Sequence, residues 1–468
     1  MRNRLETKSS VTHVARRPGP GPGARPWVML IVATIGFAVN FWAWALLSPL
    51  GSKFADTLHL SSFAQALVVA VPVIVGSIGR IPVGALTDRY GGRVMFPLVS
   101  AATIVPVLYL GLSGHTSLAG LLAGGFFLGI GGTAFAVGVP FVNAWFPPAQ
   151  RGLAIGVFGM GMGGTAISAL TTVKLVTAHG TAAPFIITAC VLAAFAVFSF
   201  LVLRDAPGRP VPSGTTVSRL VATAKLRITW QASALYAVAF GGYVAFSVYL
   251  PTYLKTAYHL TQDDAANRTA GFVLLAVIMR PVGGWLAGRL GAVRVLAVGL
   301  AAVLVFAVAQ AFTPSLAPVG TIAFLAMAAA LGACSGAVFT LVALLAPADK
   351  VGSVTGVVGA AGGLGGFVPP LDMGFVYGQW HNYEGGLLAL AVVAILALAL
   401  TVVGVRNALA AHDAAVGSPD AAGAADAAHA PGAASDRTAL PRPRSGHDAD
   451  GGRRTAGKHP ARGTRPDK

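Results

Sequence analysis

Two arginines sit where arginine is expensive. Arg80 follows VPVIVGSIG and Arg280 follows AGFVLLAVIM, so each lies inside a long apolar run. An arginine at the centre of a membrane helix costs about 2.5–3.5 kcal/mol on the insertion scale, a cost that an acid or a ligand must offset. The runs hold only Asp372 towards the end of one and Asp88 at the end of another, neither placed to do so. A guanidinium stays charged when buried and presents a planar fork of donors that suits an oxyanion, so a pair describes a site for a small anion. The competing reading is side chains reaching for lipid headgroups or capping a neighbouring helix, which needs no ligand.

The two arginines are matched by an internal repeat. At an offset of 200 residues, Arg80–Gly91 (RIPVGALTDRYG) aligns without gaps on Arg280–Gly291 (RPVGGWLAGRLG), sharing R-x-x-x-G-x-L-x-x-R-x-G. The same offset places Gly152, Gly156, Gly159 and Gly163 on Gly352, Gly356, Gly359 and Gly363. A common offset in two separate segments predicts two parallel halves, with one arginine from each facing a shared site at the interface.

The elements that must position them follow from composition. The 468 residues are 55% hydrophobic and 10% charged, whereas a soluble domain carries roughly 25% charged residues. Continuous apolar runs of about 20 residues recur along the chain, long enough to cross a bilayer as helices, and lipid permits only helices or closed barrels. Twelve helices are expected, near 27–48, 62–86, 94–113, 117–143, 151–176, 182–203, 229–254, 266–288, 292–312, 317–345, 351–377 and 384–405. The fold class is therefore an all-α membrane protein of two six-helix halves, 27–203 and 229–405. Residues 204–228, rich in Pro, Gly, Ser and Arg, read as a cytoplasmic linker. Residues 1–26 and 406–468 read as disordered tails, the first basic, the second dominated by Ala, Gly, Asp, Arg and Pro.

The net charge of +17 does not make a nucleic-acid surface, because the basic residues are spread over the tails and the loops of one side. With both ends cytoplasmic, the N-terminal tail and inner loops hold about 18 Lys and Arg up to Arg406, against Lys53, Lys174, Lys255 and Arg268 outside. Both termini are thus expected in the cytoplasm. The Ala, Gly and Arg content places the chain in a bacterial inner membrane. Cys190 and Cys334 both fall in apolar runs, so neither a disulfide framework nor a metal site is expected, and no cofactor.

Two further patterns bear on movement. The segment Gly84-Ala-Leu-Thr-Asp88-Arg89-Tyr-Gly91-Gly-Arg93 resembles the G-x-L-x-D-R-x-G-x-R motif of the major facilitator superfamily. There it acts as a cytoplasmic latch, the Asp pairing with charges on a neighbouring helix; in the second half Gly288 stands where that Asp would be. Gly156, Gly159 and Gly163 in the fifth helix and Gly356, Gly359, Gly362 and Gly363 in the eleventh have the spacing at which backbones pack closely and slide.

The run GxxGxxGGLGGFxPP of the eleventh helix, the glycine-dense fifth, GGTAFAVGVPFVNAWFPP in the fourth and the paired arginines resemble the nitrate/nitrite porter (NarK-like) family of that superfamily, over about residues 27–405. The resemblance implies that Arg80 and Arg280 clamp nitrate or nitrite, with Phe135, Tyr236 and Phe240 lining the site. Tyr236 and Phe240, four residues apart, share a helix face as a flat anion between aromatic walls requires. Where the family commonly carries an anion-binding Asn in the fifth helix, this chain has Met162 or Gly163, which leaves nitrate against nitrite open. The resemblance also implies no enzymatic activity and no obligate protein partner. Nitrate/nitrite exchange is electrostatically simpler than proton symport, since an empty site leaves both arginines uncompensated. A porter for another small oxyanion or carboxylate, and a membrane-embedded sensor, are the rival readings.

Overall fold

The computed structural model describes residues 24–207, 221–347 and 350–409, all within one compact unit, Met1–His412. Residues 1–23 and 410–468 of the expected tails and 208–220 of the expected linker lie outside the described residues, whereas 24–26 and 406–409, read as tail, are helical. Those described form twelve helices long and apolar enough to cross a membrane, with no strand among them. They are α1 (Arg25–Leu58), α2 (Ser62–Tyr90), α3 (Gly92–Leu112), α4 (Leu118–Trp145), α5 (Ala154–His179) and α6 (Ala183–Val202) in the first half. The second half comprises α7 (Arg227–Tyr258), α8 (Gln262–Leu290), α9 (Ala292–Ala311), α10 (Leu316–Leu345), α11 (Ser353–Trp380) and α12 (Glu384–Leu409). Helix α7 begins within the stretch read as linker.

The repeat extends to the helix ends. Leu58-His59-Leu60-Ser61 and Tyr258-His259-Leu260-Thr261 join the first two helices of each half in the same way. Each His closes its helix in the left-handed conformation (φ 51° and 54°), and the Ser61 or Thr261 hydroxyl then accepts from a main-chain N–H of the next helix. Such a side-chain acceptor satisfies one of the free donors of a helix start. At the opposite face, α2 runs past its expected end at 86 through Tyr90, and the turn is the single residue Gly91 (φ 84°), matched by Gly291 (φ 92°). A Cβ is unfavourable at such φ, which is why both halves carry glycine there. The face bearing His59 and His259 is called here the first-loop face, and the face bearing Gly91 and Gly291 the second-loop face.

The halves meet along a seam that is tied on the first-loop face. Ser48 donates to the Val248 carbonyl at 2.8 Å, Gln65 to the Thr252 hydroxyl at 3.2 Å, and Gln262 to the Pro49 carbonyl. Lys255 pairs with Asp56 at 2.7 Å. Towards the second-loop face the seam is looser: a side chain at Gly356 would meet nothing within 4 Å, and one at Gly156 would only graze Pro281.

Regular helix gives way at mid-depth in four helices. α2 is interrupted at Gly79, directly before Arg80; α4 tightens to a 3-10 turn over Gly129–Thr133, α5 over Met160–Gly163, and α11 breaks between Gly365 and Val368. Glycine clusters occupy all four positions, as expected where helical propensity is lowest. The long helices α7 and α8 run unbroken past the same depth despite Pro251 and Pro281. Their buried faces supply Tyr236, Phe240 and Arg280, so these side chains stand on continuous helix.

Candidate functional site

Arg80 and Arg280 are both buried, each 7% exposed, so neither reaches for the headgroups. Gly79 ends one helical segment and Arg80 opens the next, which directs the arginine across the seam. Its Nη1 donates to the carbonyl of Gly359 in α11 at 2.6 Å, and its guanidinium carbon lies 5.2 Å from the Phe135 ring centre and 5.6 Å from that of Phe240. Arg280 crosses in the other direction. Its Nη1 donates to the Met162 sulphur in α5, its Nη2 to the Tyr236 hydroxyl. Its guanidinium carbon stands 5.3 Å from the Phe240 ring and 5.7 Å from both Tyr236 and Phe339.

Phe240 is therefore shared by both cations. It stacks on Tyr236 with centroids 4.9 Å apart and planes 5° from parallel, and Tyr236 meets Phe339 edge-on at 4.8 Å. Aromatic faces attract cations, which partly offsets the cost of burying them, but leaves their formal charge in place. Among the described residues no carboxylate contacts either guanidinium; the hydrogen-bond acceptors are a carbonyl, a thioether and a phenol. One level towards the first-loop face, Tyr243 and Thr165 share a hydrogen bond across the seam at 3.1 Å.

All five side chains marked in the sequence, Arg80, Arg280, Phe135, Tyr236 and Phe240, thus come together in one cluster. Of the glycines, Gly359 supplies the carbonyl for Arg80, and Gly159, its counterpart in the repeat, lies against the Arg280 side chain, where a Cβ would be 3.7 Å from Nε. Gly362 leaves space for Tyr236 and Phe240, and Gly363 for Ser77. Gly163, Gly156 and Gly356 stand clear of the arginines, and a Cβ at Gly163 would meet nothing within 4 Å. Asp372 is half-buried in α11 beside Gly386 of α12, away from the cluster.

Three participants carry no signal of their role in the sequence. Phe339 gives no signal because the repeat places Val139 opposite it. Met162 stands where the resemblance leads one to expect an Asn donor, whereas its sulphur is the acceptor facing Arg280. A further carboxylate reaches the turn that follows the motif beginning at Gly84: Asp205, just beyond α6. Its Oδ1 accepts from the main-chain N–H groups of Gly92 at 2.8 Å and Arg93 at 3.3 Å, capping α3. Gly84 packs against Ala136 of α4, the Arg89 guanidinium lies over Tyr90, and that of Arg93 over Phe200.

The sequence profile of the Major Facilitator Superfamily matches residues 33–370 and 232–425. Among curated proteins, the chain is 47% identical over 380 residues to the probable nitrate/nitrite transporter NarK2 of Mycobacterium tuberculosis, covering 81% of this chain and 96% of that one. It is 34% identical over 378 residues to the nitrite extrusion protein of Bacillus subtilis (81% and 94%), and 32% identical over 369 residues to the probable nitrate transporter NarT of Staphylococcus haemolyticus (79% and 94%). Among solved structures, a bacterial homologue of the human lysosomal transporter Spinster, in an inward-facing and occupied conformation, superposes with a TM-score of 0.66. It is 19% identical and covers 82% of this chain and 98% of that one, a likeness of fold alone. The chain belongs to the major facilitator superfamily and, within it, to the nitrate/nitrite porter family. Its relatives are transporters rather than enzymes.

Proposed function

We propose that this chain carries nitrate and/or nitrite across a bacterial plasma membrane by alternating access, with Arg80 and Arg280 as the clamp on the anion. One observation carries the reading. Two buried guanidiniums, one from each half, converge on a single aromatic ring and, among the described residues, are held only by neutral acceptors. Neutral acceptors satisfy donors but cancel no charge, so a monovalent anion binds more strongly than the groups it displaces. Phe135, Tyr236 and Phe240 then present flat faces to a flat ion. The names of the relatives support nitrate and nitrite over other oxyanions or small carboxylates.

Because each arginine bonds to the opposite half, an ion that takes both also replaces contacts across the seam, and binding is coupled to the position of the halves. Exchange is the favoured mode. An arriving anion covers both cations before the return movement, whereas an empty return leaves them with neutral partners only. The positive-inside distribution puts the second-loop face and both termini in the cytoplasm, so the tied face is the outer one. Lys53 and Lys255 lie on that face, where few basic residues are expected.

The test is uptake of labelled nitrate into proteoliposomes that are empty, nitrite-loaded, or carrying a pH gradient. Uptake that needs internal nitrite supports exchange, and uptake that follows the pH gradient with empty vesicles replaces exchange by symport. Uptake in none of these conditions, or competition by formate and acetate as strong as by nitrite, overturns the substrate assignment.

A further inference from the structure

Beside Arg80 lies a small cavity of about 10 Å³. A space of that size holds about one water-sized atom. Its walls are mostly apolar and include Phe41, Val73, Gly132 and Val244. Trp44 also borders it, but the indole N–H is spent on the Pro72 carbonyl at 3.2 Å. The polar side chains that remain are Ser77 and Arg80. Ser77 is 1% exposed, and Arg80 Nε is buried with no hydrogen-bond partner among the described residues. A buried guanidinium donor left without an acceptor is costly, and native proteins seldom leave one so without a use for it.

The opposite wall is cut to fit. Gly363 of α11 borders the same cavity, and any Cβ there would overlap the Ser77 hydroxyl. The glycine therefore leaves room for the Ser77 hydroxyl, and Ser77 and Arg80 border one atom-sized space on the seam. The interruption at Gly79 falls between the two donors, so their relative placement depends on the irregular turn there.

We propose that this space receives one oxygen of a trigonal oxyanion, with Ser77 Oγ–H and Arg80 Nε–H as its donors, and that Ser77 sets the preference between nitrate and nitrite. The inference rests on the anion-clamp reading above. Nitrite has two oxygens, which the two guanidiniums use up; nitrate has a third, which needs its own donor. A hydroxyl donating to an anionic oxygen is a charge-assisted bond, so its loss falls on the ion that uses it.

The experiment is transport by wild type and Ser77→Ala in proteoliposomes, measuring KM and maximal rate separately for nitrate and nitrite. The alanine fits wherever serine does, and monodispersity in detergent with an unchanged melting temperature checks the fold. The expected result is a KM for nitrate raised about tenfold, a KM for nitrite changed by less than about threefold, and maximal rates within about twofold. Equal changes for the two ions, or a fall in rate without a change in KM, makes Ser77 a structural residue and overturns the assignment while leaving the clamp intact. A wild type that moves neither ion overturns the clamp itself, and Ser77 with it.

Discussion

The guanidinium of Arg80, a residue of the first half, hydrogen-bonds the main-chain carbonyl of Gly359 in the second at 2.6 Å. The repeat places Gly159 opposite Gly359, and Arg280 runs alongside Gly159 in the other direction. The pair of arginines is thus laid across the seam with approximate twofold symmetry, each reaching for the glycine-rich helix of the other half. The symmetry fails at the acceptors, where one arginine has a carbonyl and the other a thioether and a phenol.

Lysine at either position keeps one positive charge and loses the fork. Arg80→Lys has no planar fork with which to hold the Gly359 carbonyl and a bidentate ion together, and Arg280→Lys has none with which to bridge Met162 and Tyr236. Each is expected to lower nitrate uptake at sub-saturating concentration by about 10- to 100-fold, the equivalent of one charge-assisted bond of ~1.5–3 kcal/mol. Uptake of labelled nitrate against wild type checks it; undiminished flux in either variant is incompatible with a two-arginine clamp.

Gly163 and Gly363 occupy equivalent places in the repeat but have unlike surroundings. A methyl group at 163 meets open space, whereas one at 363 overlaps Ser77. Gly163→Ala is expected to transport within about twofold of wild type, since a helical Gly-to-Ala change carries a gain of only about 1 kcal/mol. Gly363→Ala, which cannot close the seam as described, is expected to lose most activity while remaining folded. Parallel transport and thermal-stability measurements on the two variants separate them.

Met162→Leu preserves volume, and such exchanges in packed interiors cost less than about 1.5 kcal/mol. It removes the acceptor that holds Arg280 when no anion is bound. The variant is expected to keep nitrate/nitrite exchange and to slow net movement into empty vesicles by about fivefold, the loss of one hydrogen bond of ~1 kcal/mol. Equal slowing in both assays would mean that the sulphur plays no part in the anion-free carrier.

Asp205→Ala leaves the first main-chain N–H groups of α3 without their carboxylate. Loss of a cap of this kind costs about 0.5–2 kcal/mol. A lower melting temperature of the detergent-solubilised protein, with KM for nitrate unchanged, is the expected result; a shift in KM would instead tie the turn to the anion site.

The arginine pair was legible because two signals coincide: charge in an apolar run is rare, and a fixed offset marks equivalence. Tyr236 and Phe240 were legible from their four-residue spacing together with the family resemblance. Phe339, the Met162 sulphur and the Asp205 carboxylate were not, since each takes its role from a neighbour distant in sequence, and neither a thioether nor a lone acid beyond a helix advertises its partner. The helix interruptions could be suspected from glycine density, but whether a given glycine faces a neighbour's side chain or open space depends on packing. Gly163 and Gly363 show how far a shared sequence position falls short of a shared environment.

Among the described residues no acidic side chain contacts either guanidinium, and this has an electrical consequence. Within the membrane the anion-free cluster bears two positive charges, and one bound nitrate leaves one. A potential of 100 mV does about 2.3 kcal/mol of work on each elementary charge carried across the full membrane. Any rearrangement that shifts Arg80 and Arg280 through part of that field is therefore sensed by voltage, twice as strongly when the site is bare as when it is filled. The resting potential of the cell, and not only the gradients of the two ions, would then help to set which way the protein faces while it waits.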